Sequence, residues 1–194
     1  MSDTALDIPT GPMTGQEFVA WDEARMDDET RVEFHDGHIV TMRPESLRHN
    51  FAKASISNQF INRLGFGGHC SSMSDGMRLR TPTGHRYEPD AMIRCGERLG
   101  GDSNLVTDPV VVVEVLSPSN TAETMDKKEA RYFACPSVAH YLLVDPVSRT
   151  FRHVERGTAE GKLLTALMRG GSVFFDPPGV TPDLDAVLAA VDAA

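Results

Sequence analysis

Hydrophobic positions along the chain switch between helical and strand periods. Thr14 with Glu17 three residues on has the capping-box form, and Phe18 and Trp21 share one face of the helix it opens. From Arg31 to Met42 the period becomes two. Val32 and Phe34 alternate with Glu33 and His35, and Asp36-Gly37 is a favoured two-residue turn, so a β-hairpin is predicted. Pro44 to Ser46 breaks it. Leu47 to Leu64 reads as a helix, with Leu47, Phe51, Ala54, Ile61 and Leu64 as its expected apolar stripe and a glycine-rich stop after it.

Two strands follow around a Pro-Thr-Gly turn, near Met77 to Arg80 and Tyr87 to Arg94. After a polar loop comes a strand over Val110 to Leu116, then a Ser/Pro/Asn loop and a helix from Ala122 that stops near Pro136. His140 to Asp145 is another buried strand. Thr150 to Arg156, Leu163 to Arg169 and Ser172 to Asp176 read as short strands with Gly-rich joints. A last helix has Thr181 as its expected cap, Pro182 in the first turn, and Leu184, Val187, Leu188 and Val191 as its stripe. The strand–helix–strand run from Val110 to Asp145 predicts a right-handed crossover between neighbouring strands. The order predicts a flexible lead-in over residues 1–13 and a single α/β domain over 14–194, with a mixed central β-sheet flanked by helices.

Composition narrows the class. The chain has 194 residues, 40% hydrophobic and 24% charged, which is ordinary for a globular protein. No apolar run approaches a membrane span, and the first residues lack the basic and apolar regions of a secretory leader, so the cytoplasm is the expected compartment. Cys70, Cys95 and Cys135 are widely spaced with no C-x-x-C, which suggests neither a disulfide framework nor a thiolate zinc site. The net charge of −9 counts against a general nucleic-acid binder, although the local field at a cleft matters more than the sum.

Chemistry enters at Glu114. Four valines, Val110 to Val113, read as a strand buried on both faces, and a carboxylate there is costly unless it is paired or holds a metal. Asp90, after Pro89, is the second polar interruption. Strands joined by a loop are often neighbours, and side by side these two place both carboxylates on one sheet face. Two carboxylates suit Mg²⁺, whose remaining positions go to water and substrate phosphate.

The ordered set "VEFHDGHIV", His49 at the helix start, "YEPDAMI", "DPVVVVEVLSPSN", "KKEARYFACPSVAHYLLVDP" and the Gly-Val-Thr-Pro ending resembles the Uma-two family of restriction endonucleases, in the PD-(D/E)XK nuclease superfamily. The resemblance runs from about Thr14 to Leu188. It implies a restriction-endonuclease-like fold and metal ligation by Asp90 and Glu114, with the Val115 carbonyl as a third ligand. The superfamily places a lysine two residues after the glutamate, where this chain has Leu116. The family pattern points instead to Lys128 on the following helix. Thr124 stands where the family usually has an aspartate, His38 where it has an acidic hairpin residue, and Leu142 where it has a tryptophan.

Other roles stay open at this level. Glu114 has an alternative as the partner of Arg78 or Arg80, and Lys128 sits in a run that reads as a solvated helix face. Glu33 is either a further acidic group near the metal or exterior strand charge. His49 contacts a phosphate or a carboxylate of the site, or else packs. Asp145 ends a strand and starts a turn, His35, His69, His85, His140 and His153 read as surface or packing residues, and Cys135 as a small buried hydrophobe. Three functions compete. The first is a Mg²⁺-dependent phosphodiesterase acting on DNA, with Mn²⁺ as substitute ion and a homodimer for cutting two strands. Asp90 and Glu114 bind its metal, Lys128 assists the water, and Glu33 or His49 supports them. The second is an inactive interaction module of the same fold, and the third a hydrolase of small phosphate esters.

Overall fold

The computed structural model describes residues 8–25, 30–118 and 120–194. The lead-in expected over 1–13 lies outside the described residues from 1 to 7, and Ser119 of the Ser/Pro/Asn loop also lies outside them. Helix α1, Gly15–Ala24, opens with the expected box: Thr14 Oγ1 accepts from Glu17 N, and Glu17 Oε2 accepts from Thr14 N. The hairpin follows as β1, Val32–His35, and β2, His38–Thr41, turning through Asp36 (φ 48°) and Gly37 (φ 83°), a left-handed pair that favours glycine. Phe18 stacks on Phe34 with ring centroids 4.6 Å apart, which seats α1 on one face of β1. That leaves Glu33, on the other face, buried toward the middle of the protein.

Helix α2 spans Leu47–Leu64 as expected, but its buried stripe does not. His49, Ala52, Lys53, Ile56, Ser57 and Phe60 are buried, while Leu47 is 54% exposed. The helix is rotated from the apolar reading because two polar residues, His49 and Lys53, are wanted inside. Strand β3, Cys70–Ser74, was not legible as a strand, its Cys and Ser residues being poor in strand signal. The second strand expected over Tyr87 to Arg94 is broken in two. After β4, Arg78–Arg80, the chain forms β5, Arg86–Tyr87, leaves its sheet at Glu88-Pro89-Asp90, and forms β6, Ala91–Cys95, in another sheet. Proline has no N–H to give to a ladder, so the break falls there.

The remaining elements are β7, Leu105–Val106; β8, Pro109–Val115; α3, Ala122–Phe133; β9, His140–Asp145; β10, Thr150–Arg156; β11, Leu163–Met168; and α4, Leu184–Asp192. The single mixed sheet of the sequence reading is therefore two mixed sheets, in the orders β2-β1-β5-β4-β7 and β11-β10-β9-β8-β6-β3. Strands β8 and β9 are parallel neighbours joined by α3, and β6 runs antiparallel to β8. Strand β8 is buried throughout. Val111, Val113 and Val115 face the cluster built with α2 and α4, and Val112 faces the cluster built with α3, Leu79 and Tyr87. Glu114 shares the second face by the two-residue period.

Three further expectations are corrected. Ser172 to Asp176 forms isolated bridges, Ser172 with Asp183 and Phe175 with Val180, and no strand. The cap of α4 is Asp183, whose Oδ1 accepts from Asp185 N and Ala186 N, and Thr181 lies outside the helix. Cys70 and Cys95, directly opposite in the β3–β6 register, form a disulfide with Cα atoms 3.9 Å apart. Spacing along the chain had hidden a pair made by register. Asp145 starts its turn as expected, accepting from Val147 N and Ser148 N, and Cys135 is fully buried. Among the described residues no helix is long and apolar enough to cross a membrane.

Two predictions follow from the packing. Phe60→Ala should cost about 3–5 kcal/mol in urea unfolding and Leu47→Ala no more than about 0.5, the reverse of what the apolar reading of α2 implies. The second concerns His140 and His153, which stack on each other and on Phe175 in a buried cluster. Asp176 N donates to His140 Nε2 at 2.9 Å, which leaves the His140 proton on Nδ1, 3.1 Å from His153 Nε2. Burial, and then the neighbouring His140, push His153 from 6.5 down to about 4. The unfolded chain binds the proton more readily, so this stability is complete above pH 6.5 and is lost as pH falls toward 4. His153→Gln, which keeps an acceptor for His140, should show a shallower loss of urea midpoint between pH 7 and 5 than the native chain, and parallel losses would count against the buried-neutral assignment.

Candidate metal-dependent active site

Four elements meet at the C-terminal end of β8. Ala91 pairs with Val113, so one step back along β6 the register sets Asp90 opposite Glu114. Asp90 Oδ2 also accepts from Val115 N at 2.7 Å, which fixes its carboxylate over the strand end. From the second sheet, Glu33 on β1 enters the same space, held by Glu88 N donating to its Oε1 at 2.9 Å. From α3 comes Lys128. Met125, Lys128 and Tyr132 lie at helical spacing on its buried side, whereas Lys127 is exposed and pairs with Glu123.

Lys128 Nζ sits between two carboxylates, 3.0 Å from Glu33 Oε1 and 3.0 Å from Glu114 Oε1. The Tyr132 hydroxyl donates to the same Glu114 oxygen. Neither Arg78 nor Arg80 is the partner of Glu114; Arg78 pairs with Asp22. Leu116, two residues after Glu114, packs against the apolar cluster that contains Tyr132 and Phe133, so a lysine there would displace core contacts. The ammonium arrives from the helix instead. Thr124, where an acidic residue was expected, bonds Thr121 and lines the cavity as a neutral wall.

Electrostatics divide the carboxylates. Burial works to raise Glu33, but Lys128, His35 and the Glu88 amide outweigh it and hold it well below the usual carboxylate range. Burial dominates for Asp90 and pushes it up to about 7, against the opposing pull of the Val115 amide. Burial likewise raises Glu114, with Glu33 and Asp90 adding repulsion and Lys128 opposing. Lys128 is buried, yet Glu114 and Glu33 outweigh that burial and raise it, so it stays an ammonium. Among the described residues, Lys128 bonds Glu33 and Glu114, while Asp90 has only the weaker pull of Lys53 and Lys128 at longer range.

Two site neighbours escaped the sequence reading. His35 Nε2 lies 2.7 Å from Glu33 Oε2 and its ring meets Tyr87 edge-on, so it is part of the site and not a surface residue. Glu45, just before α2, brings Oε2 within 3.2 Å of His49 Nδ1 and within 2.5 Å of Lys53 Nζ. His49 itself reaches the site: Nε2 is 2.9 Å from the Val115 carbonyl oxygen and 3.5 Å from Asp90 Oδ2. His49 was one of the residues expected at the site, and it lies one turn before Lys53 on the buried stripe of α2. A cavity of about 1130 Å³ opens onto Glu33, His35, Glu45, His49, Asp90, Glu114 and Lys128, and Ser117, Pro118 and Asn120 form part of its wall.

A family model described as "Putative restriction endonuclease" matches residues 16–188. The chain belongs to this family, Uma2. Its Uma2 match covers all of the groups named above. An uncharacterized protein of Synechocystis sp., slr1290, is 30% identical over 141 residues, 72% of each chain, and a second from the same organism, sll1609, is 29% identical over 141 residues, 71% of this chain and 79% of that one. The fold is similar to that of a crystal structure titled as a putative nuclease belonging to DUF820 from Anabaena variabilis, with a TM-score of 0.71, 16% identity, and coverage of 93% of this chain and 99% of that one. The restriction-endonuclease-like architecture expected from the sequence is therefore the one this Uma2 protein has.

Removing the ammonium tests the electrostatic account. Lys128→Met leaves Glu33 and Glu114 buried without their cation and should cost about 3 kcal/mol or more at neutral pH in urea unfolding. A loss under about 1 kcal/mol would mean that water or protons already neutralise the pair.

Proposed function

We propose that this protein is a divalent-metal-dependent phosphodiesterase that hydrolyses DNA, with Mg²⁺ as the expected ion and Mn²⁺ as its substitute. The observation that carries the reading is the convergence of Asp90 and Glu114 on one strand end, with Lys128 beside them. The donor set fits such an ion: hard carboxylate oxygens, a surplus of negative charge, and Glu114 engaged at Oε1 only, which leaves Oε2 for another partner. Asp90, Glu114 and the Val115 carbonyl would hold the ion. When bound, it would lower the pKa of a water and stabilise charge at phosphorus.

The remaining work belongs to the chain. Lys128, an ammonium at any working pH, cannot take a proton from water. It orients the nucleophile or meets the charge growing on a phosphate oxygen. Glu33 keeps the ammonium on the cavity side of α3, and Tyr132 holds the Glu114 carboxylate in plane. Arg43, exposed at the cavity rim, is available to a flanking phosphate. Cutting both strands of a duplex takes two such sites, which a homodimer supplies most simply.

Asp90→Ala and Glu114→Ala should each lower Mn²⁺-supported cleavage of single- or double-stranded DNA by at least about 100-fold and weaken Mn²⁺ binding in calorimetry. No Glu114-dependent cleavage on either substrate would favour an interaction module, and cleavage confined to small phosphate esters would move the reading to that class.

A further inference from the structure

Deepening the metal-dependent reading above and resting on it, we propose that His49 is itself a ligand of the ion through Nε2. Glu45 acts as the positioning residue behind it, so the site favours first-row transition ions over Mg²⁺. One donor atom from each of Glu45, His49 and Asp90 lies within 4.8 Å of the others. The imidazole is 5% exposed. Its Nε2 points at two oxygens, the Val115 carbonyl at 2.9 Å and Asp90 Oδ2 at 3.5 Å. Donors next to each other around a six-coordinate ion sit about 3 Å apart, so these spacings are those of a ligand set.

The other ring nitrogen supports the same orientation. Nδ1 is buried and has no aligned hydrogen-bond partner, and the nearest oxygen is Glu45 Oε2 at 3.2 Å. Without an ion Nε2–H donates to the Val115 carbonyl; ligation moves the proton to Nδ1, facing Glu45, and frees the Nε2 lone pair for the ion. A carboxylate behind a ligating imidazole is the common outer-shell arrangement of protein metal sites, and Lys53 at 2.5 Å pins that carboxylate in place. Ser46 caps α2 through the His49 amide and sets the first turn from which the ring projects. A nitrogen donor costs Mg²⁺ affinity and adds it for later first-row ions such as Co²⁺.

The experiment is pulsed EPR of the full chain loaded with Mn²⁺, with calorimetric titrations of Mn²⁺, Co²⁺ and Mg²⁺. The native chain should show ¹⁴N coupling at the bound Mn²⁺ and tighter binding of Co²⁺ than of Mg²⁺. His49→Gln should abolish the coupling and narrow the Co²⁺-to-Mg²⁺ preference by about 10-fold or more, and Glu45→Gln should retain the coupling while weakening Mn²⁺ by about 10-fold. Mn²⁺ bound by the native chain without nitrogen coupling overturns the inference and leaves the metal-dependent reading standing. It would make His49 a hydrogen-bond donor to the Val115 carbonyl and no ligand. Coupling that persists in a folded His49→Gln overturns it too, and no Mn²⁺ binding at all overturns both readings. The native spectrum decides even where a variant fails to fold.

Discussion

One buried ammonium organises this protein. Lys128 lies where β1 of one sheet, β8 of the other and α3 come together, and it bonds a carboxylate from each sheet. Its Nζ lies 5.2 Å from the centre of the Tyr87 ring, which meets Tyr132 edge-on. An ammonium in such a place is tolerable only because two carboxylates face it, and they are tolerable only because it is there. The two sheets are thus held together by charge at the point where an apolar core would have been cheaper in free energy, which is the pattern expected where function competes with stability.

The same cation divides labour among the acids. Glu33 takes the share of negative charge that the lysine satisfies, whereas Asp90 and Glu114 are left strained by burial and by each other. Beside them the His49 ring meets the Val115 carbonyl at 2.9 Å.

Much of this was readable from the residues, for stated reasons. Glu114 betrayed itself as a charge inside a valine run, Asp36-Gly37 fixed the hairpin, and β8–α3–β9 followed from a strand–helix–strand pattern. Lys128 came from family resemblance; its own helix hid it, since a lysine beside Lys127 in a charged run reads as solvent-facing, and only the spacing from Met125 to Tyr132 places it inside. The same bias against buried polar residues rotated α2 away from His49 and Lys53. Partnerships formed by register, such as Cys70 with Cys95, and partnerships between distant elements, such as Lys128 with Glu33, depend on long-range pairing that no local window contains. The strand expected at Ser172 to Asp176 makes only isolated bridges: Phe175 packs on His140 and His153, Val173 joins the main apolar cluster, and Phe174 is exposed.

The passage through Glu88-Pro89-Asp90 has a consequence for how members of such a family can vary in length. Three residues carry the chain from one sheet to the other, with Glu88 clasping Glu33 on one side and Asp90 clasping Val115 on the other. Adding or removing one residue there would turn Asp90 to the opposite face of β6, because side chains alternate. The loop from Gly96 to Asn104, only a few residues further on, has no such duty. Insertions and deletions among relatives should collect in the second segment and be purged from the first, so the spacing between Tyr87 and Asp90 is a more reliable ruler for alignment than the identity of either residue.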